Sequence, residues 1–426
     1  MRSCCGCPVA SGIFRNTVRY CSPSHGGWGI VRTAMLVPEC HQLFVSPFAC
    51  GRHGALGALV QGFKDRLSYL YIDEADIVSG GYEELIPEAV DRLLDRLVKE
   101  PRALMIVVSC LDDLLCTDHE AFLAVIRERH PGLRVGVGHM NPISLDGNVP
   151  PAVNIQRSMY GLLERSDEPS IPGTAAFYGN NVPLDEEGEI FEVLRTSGFH
   201  DVRHISGCSD FDDFDELSRM SLNLAPTPTG RLAAKDAERA LGIDSEYVPV
   251  SYDFDEIDEC YGRLLSRSGR SMDLGDYRRE AQRSLDETAN RLDGLPVVVD
   301  ASATVRPFCL ARTLLMNGFK VETVYAQKCI PLDRPYLEWI SENFPDTEVL
   351  QPEHHRSPIA REAESFRLAV GFEGAYLSGA RYVANVANDE TLYGYHGVSK
   401  LAAMMARAVE RPTDLRALLD DYGIVV

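Results

Sequence analysis

Short apolar runs alternate along this chain with stretches of helical periodicity, and that alternation restricts the possible folds more than any other feature. Residues 103–109 (Ala-Leu-Met-Ile-Val-Val-Ser), 133–138, 174–179, 202–206, 222–225, 295–300 and 320–325 read as strands. Between them, residues 82–99, 119–129, 186–197, 212–220, 230–241 and 305–317 carry apolar side chains at helical spacing. Strands separated by helices imply parallel sheets covered by those helices. Further strand-like runs at 348–350 and 382–385 precede helices at 398–409 and 413–422. At 426 residues the chain exceeds one ordinary core. The pattern therefore predicts an α/β protein of three consecutive Rossmann-like domains with parallel sheets. Their expected extents are 1–170, 171–292 (ending in a charged connecting helix at 271–292) and 293–426.

Cysteine placement supplies the first chemical constraint. Cys21, Cys50 and Cys110 lie 29 and 60 residues apart, too far for a compact zinc knuckle or a local thiol redox pair. Such spacing suits an iron–sulfur cluster gripped by loops from different parts of a fold. Cys110 ends the apolar run at 103–109, so it sits at the carboxyl end of a strand, where open α/β sheets place their ligands. A helix at 54–64 is expected to follow Cys50, and a strand at 133–138 delivers His139 to the same edge. Residues 1–60 contain one acid, Glu39, against five arginines, although the whole chain has a net charge of −21. An acid-poor surround suits an anionic cluster, and Arg32 and Arg52 can balance its charge or pair with substrate carboxylates. The acidic total argues against nucleic acid as a partner.

Twelve cysteines are too dilute for a disulfide scaffold, so thiols held free or on metal in a reducing, cytoplasmic compartment are expected. No apolar run approaches a membrane span, and the amino-terminal residues lack the apolar core of a signal peptide. Cys4, Cys5 and Cys7 fall in an expected arm, and Cys116 reads as a core thiol beneath the loop that follows Cys110. The acid-rich stretches 210–216 and 253–259 read as solvated helix starts, because neither has the spacing of a calcium loop.

Several of these elements together resemble component 1 of nitrogenase and its relatives, including protochlorophyllide and chlorophyllide reductases and cofactor-assembly scaffolds. The signals are Trp28-Gly29 after Cys21, the Cys50-Gly51 pair, Asp76-Ile77-Val78-Ser79-Gly80-Gly81, Cys110 at its strand end, and Tyr395-His396-Gly397. The resemblance implies an iron–sulfur cluster at a subunit interface, with Cys21, Cys50 and Cys110 as the three ligands from this chain. Three thiolates leave a 4Fe-4S cluster one ligand short, or supply half of an 8Fe-7S cluster shared with a partner subunit. The sequence departs from the dinitrogen-reducing α subunit at 222–229, where Pro226 and Thr227 stand in place of a cofactor-anchoring cysteine.

The implied function is that of a subunit in a two-component reductase. An ATP-dependent iron-protein-like reductase would supply low-potential electrons, since this chain has no phosphate-binding Gly-x-x-x-x-Gly-Lys-Ser/Thr loop. The resemblance further implies a homologous second subunit or a second copy, in a dimer or α2β2 assembly, and a small unsaturated substrate such as a tetrapyrrole. His25, His53, His139 and His396 are candidates for binding substrate and donating protons, because imidazole titrates near neutrality. Two other readings stay open at this point. A non-catalytic scaffold for metal-cluster assembly would share the cysteines without turning over a small molecule. A nucleotide-sugar transferase would share the layered fold and be iron-free.

Overall fold

A computed structural model of the chain describes residues 18–22, 29–60, 62–141, 149–355, 357, 364–389 and 391–421, excluding the side chains of 29–31, 52, 53, 56 and 60. Its strands are β1 (Cys40–Ser46), β2 (Leu67–Tyr71), β3 (Ala103–Ser109), β4 (Arg134–Met140), β5 (Thr174–Phe177), β6 (Asp201–His204), β7 (Leu222–Ala225), β8 (Asp244–Tyr247), β9 (Val297–Asp300), β10 (Val321–Tyr325), β11 (Glu348–Leu350), β12 (Ser365–Val370) and β13 (Ala380–Ala384). They form three sheets, ordered β2-β1-β3-β4, β6-β5-β7-β8 and β11-β10-β9-β12-β13. Every pairing within them is parallel. The three-sheet α/β architecture expected from the alternating pattern is present. Two compact units contain the sheets. One comprises Trp28–Pro183 and Phe199–Pro249, with both four-stranded sheets; the other comprises Met1–Gly27, Leu184–Gly198 and Val250–Val426, with the five-stranded sheet. Among the described residues no helix is long and apolar enough to cross a membrane.

The first sheet is built on β1 and β3, whose residues are all buried. Removing each Val, Ile or Leu of these strands from water contributes roughly 1.5–3 kcal/mol. Alternation sorts the side chains onto two faces. Leu43, Val45, Leu104, Ile106 and Val108 pack with Ile86 and Val90 of helix Tyr82–Leu94 and with Phe122 and Ile126 of helix His119–Arg129. On the opposite face Phe44 and Val107 pack with Ala58 of helix Phe48–Val60, together with Tyr69 and Met140.

Each sheet has one place where the strand order reverses, and the carboxyl ends flanking that place form the natural ligand crevice of an open α/β sheet. In the three sheets these places lie between β1 and β3, β5 and β7, and β9 and β12. The protein's own groups close the second and third. After β5, Gly179 packs on Gly230, where an added Cβ would lie 2.4 Å from backbone atoms, and its carbonyl accepts from the Thr227 and Thr229 hydroxyls at 3.0 and 2.8 Å. After β9, the buried Asp300 carboxylate accepts from the Ser302 N–H and hydroxyl, the Ala303 N–H and the Gly374 N–H. The first crevice differs from both.

Candidate metal centre

Both Cys50 and Cys110 belong to that first crevice. Helix Phe48–Val60 begins earlier than the expected 54–64, because the Pro47 carbonyl accepts from the Cys50 and Gly51 N–H groups at 3.0 and 3.4 Å and starts the helix directly after β1. Cys50 consequently lies in a helical first turn rather than in a loop. Cys110 opens the short helix Cys110–Leu115 directly after β3. Both thiols are half-buried. Burial raises the Cys50 thiol above its ordinary value, and the neighbouring Cys110 raises it further. A thiol that resists ionising beside a second thiol is a donor that a cation stabilises, because the metal replaces its proton.

The walls of the crevice are aromatic and hydroxylic. Phe44, Ser46, Tyr69, Tyr71 and Val107 project from one sheet face, as the pairings Phe44 with Tyr69 and Val107 and Ser46 with Tyr71 require. Tyr69 and Tyr71 stack at 5.4 Å, and Tyr71 meets Phe48 at 5.0 Å. Their rings lie so close to the first helical turn that a Cβ on Gly51 would be 2.9 Å from Tyr69 and 3.0 Å from Tyr71. The hydroxyls of Ser46, Ser109 and Tyr69 are buried and have no hydrogen-bond partner among the described residues. Buried donors without partners beside two close thiols fit a sulfur-rich group, whose sulfurs accept such bonds.

On the opposite sheet face a proton-holding network supports the Cys110 helix. The buried Asp112 accepts from the Tyr82 hydroxyl at 2.5 Å and pairs with His119 Nε2 at 2.6 Å. Burial pushes the Asp112 carboxyl up, but its bonds with His119, Tyr82 and Thr117 outweigh this and leave it below its ordinary value. The same bond to Asp112 raises His119. His139 pairs with Asp113 at 3.1 Å, and its ring lies 4.9 Å from that of His119.

The other expected site residues have the following positions. Cys21 is exposed and belongs to the unit that contains the five-stranded sheet, where its neighbours Tyr20 and Ser22 bond to Glu353 and Glu373 at 2.8 and 2.6 Å. His25 lies outside the described residues, as does the side chain of His53. His396 occupies the first turn of helix Gly394–Ala408 and bonds Asp185 at 3.0 Å through Nε2. Asp185, Glu187 and His396 bring their ligand atoms within 4.8 Å of one another. Lys400 Nζ already bonds the Asp185 carboxylate at 2.5 Å, however, and that cation makes the group an ion-pair network. Cys116 is an exposed helix-terminal residue with φ 54°, not the core thiol expected. Ser46, Ser109, Tyr69, Asp112 and His119 were not legible as site residues. Only the alternation Leu-Ser-Tyr-Leu-Tyr at 67–71 marks a strand that would carry Tyr69 and Tyr71 on one face.

A parallel α/β protein with paired thiols at a switch point belongs to the class of proteins that hold a ligand at the carboxyl edge of a sheet. A sequence model of the nitrogenase component 1 type oxidoreductases matches residues 26–410. This chain therefore belongs to the nitrogenase component 1 type oxidoreductase family, whose members bind iron–sulfur clusters. Among solved structures it is similar to one described as nitrogenase Cp1 at pH 6.5, at 14% identity and TM-score 0.70, covering 93% of this chain and 94% of that one. A second, nitrogenase Cp1 at pH 5, matches at 12% identity and TM-score 0.58, covering 91% and 90%. No curated protein matches the chain.

Proposed function

We propose that this chain is the iron–sulfur subunit of a nitrogenase-like, two-component reductase. Cys50 and Cys110 hold the cluster, and Cys21 is assigned as the third thiolate by the sequence resemblance. The observation that carries the proposal is the meeting of Cys50 and Cys110 at the β1/β3 switch point, beside buried hydroxyls that lack partners. Bound there, a 4Fe-4S cluster, or an 8Fe-7S cluster shared with a second subunit, supplies one-electron storage at low potential. The electrons come from an ATP-hydrolysing iron–sulfur protein, and the substrate is a small unsaturated molecule. Tetrapyrroles suit the chain best, because Pro226 and Thr227 stand in place of a cofactor-anchoring cysteine and the Thr227 hydroxyl bonds the Gly179 carbonyl.

This chain's own groups have separable tasks. Tyr69 and Tyr71 exclude water from the helical turn that carries Cys50. Asp112, fixed by Tyr82 and His119, anchors the helix that starts at Cys110. His119 holds a proton at Nε2 against Asp112, and His139 Nδ1 bonds Asp113. His25, His53, His139 and His396 are the candidates for binding substrate and donating protons to it.

Anaerobic purification followed by iron and sulfide analysis tests the assignment. The expected protein is brown, carries iron and sulfide in comparable amounts, and is bleached by an iron-protein-type reductase with ATP only while substrate is absent. Cys50→Ser and Cys110→Ser should each lose most of the bound iron while the apo-protein stays folded. A colourless wild-type protein that takes up no iron under reconstitution would refute the proposal.

A further inference from the structure

We infer that the hydroxyls of Ser46, Ser109 and Tyr69 form a hydrogen-bonding floor that donates to the sulfurs of the proposed cluster and raises its reduction potential. This inference rests on the cluster assignment and goes beyond it, because none of the three residues is a ligand. Ser46 ends β1 and Ser109 ends β3, one rung beyond the paired Val45 and Val108, so both point from the face that Cys50's helix covers. Both residues are almost completely buried, at 0% and 2% exposure. Ser109 occupies the N-cap position of helix Cys110–Leu115, where serine ordinarily accepts a bond from the helix's free N–H groups, yet it makes no such bond. Its hydroxyl is therefore held for something other than the helix.

Tyr69 reaches the same space from β2, with its ring against Gly51 and its hydroxyl buried. Burial, with Tyr71 beside it, pushes that phenol up to about 12, so it remains a donor at any physiological pH. Three buried donors without acceptors are costly in a folded protein unless a ligand supplies the acceptors. At the other two switch points the Thr227, Thr229 and Ser302 hydroxyls bond the protein's own oxygens, whereas, among the described residues, these three beside Cys50 and Cys110 do not. Ser109 adjoins Cys110, and the Tyr69 ring packs on Gly51 beside Cys50, so the cysteinyl and bridging sulfurs of the proposed cluster are the electron-rich acceptors that match these donors. A reduced cluster is more negative than an oxidised one and gains more from each donor, so the donors favour reduction.

The test uses the full chain, anaerobically reconstituted with iron and sulfide, and dye-mediated redox titration of wild type, Ser46→Ala, Ser109→Ala, Tyr69→Phe and Ser109→Thr. Each variant that loses a hydroxyl should keep its cluster and shift toward more negative potential. The expected change is about tenfold in the oxidised-to-reduced ratio, or about 59 mV for a one-electron couple. Ser109→Thr, which keeps the hydroxyl, should titrate like wild type. Electron–nuclear double resonance of the reduced wild-type protein provides a readout independent of variants: exchangeable proton couplings should be present in H2O and lost in D2O. Unchanged potentials with full cluster content, or no exchangeable coupling, would overturn the inference and leave the cluster assignment standing. Failure of the wild type to take up iron would remove both.

Discussion

Gly51 shows how one missing side chain can decide a site. It follows Cys50 in the first helical turn, and a Cβ there would press on two tyrosine rings at 2.9 and 3.0 Å. Gly51→Ala should therefore cost roughly 1–3 kcal/mol through overpacking, and it should displace Cys50 and lower iron retention. Gly262, also inside a helix, faces open space, so Gly262→Ala should instead stabilise by roughly 0.5–1 kcal/mol through backbone entropy. Urea unfolding of the two variants, with iron analysis of the first, checks the opposite signs. The Cys50-Gly51 pair was visible in the sequence, but the reason for its glycine was not. That reason lies in β2, which is near Gly51 in space through the parallel pairing of Ser46 with Tyr71.

Among elements, legibility followed apolar continuity. Strands β3, β7 and β11 and helix His119–Arg129 begin and end where their sequence patterns place them. The pattern did not reveal β1, because His41 and Gln42 interrupt Cys-His-Gln-Leu-Phe-Val-Ser, although every residue of it is buried. His41 is accommodated by its bond to Ser68 at 2.9 Å across the β1–β2 pair. Strand β8, Asp-Ser-Glu-Tyr, is an edge strand with little apolar signal, and Arg367 breaks the run in β12. Helix Gly394–Ala408 illustrates an element that depends on a distant residue. The buried Glu189 caps it, accepting from the Tyr395 and His396 N–H groups at 2.5 and 3.0 Å and from the Tyr261 hydroxyl at 2.7 Å. Glu189→Ala would leave these three donors unpaired. At roughly 1–3 kcal/mol for each buried group the loss should reach at least about 3 kcal/mol, measurable by urea unfolding, with the helix's amides losing protection in hydrogen exchange. Tyr395-His396-Gly397, read first as a family signature, thus has a structural role in receiving that cap.

At the scale of the whole molecule, the two compact units should respond differently to acid. His41 and His204 belong to the unit holding both four-stranded sheets, and burial lowers each from 6.5 to about 4, with Arg66 adding to the effect at His41. Below pH 6.5 the unfolded chain binds protons that these folded imidazoles refuse. Stability is therefore lost as pH falls from about 6.5 toward 4, by about 2 kcal/mol per histidine at pH 5. His119 has the opposite sign because Asp112 raises it, but its contribution is complete below about pH 6.5 and does not offset the loss. In the other unit burial raises Asp300 and Asp389, so their folded forms take up protons before the unfolded chain does, and mild acid favours that unit. Hydrogen-exchange mass spectrometry at pH 7 and 5, corrected for intrinsic rates, should show peptides from β1, β5 and β7 losing protection relative to β9 and β12. His41→Gln combined with His204→Gln should restore the protection of the β1, β5 and β7 peptides at pH 5 and leave only the smaller difference that Asp300 and Asp389 set. If the β1, β5 and β7 peptides lose as much protection in the double variant as in the wild type, acid is acting on that unit through groups other than these two buried imidazoles.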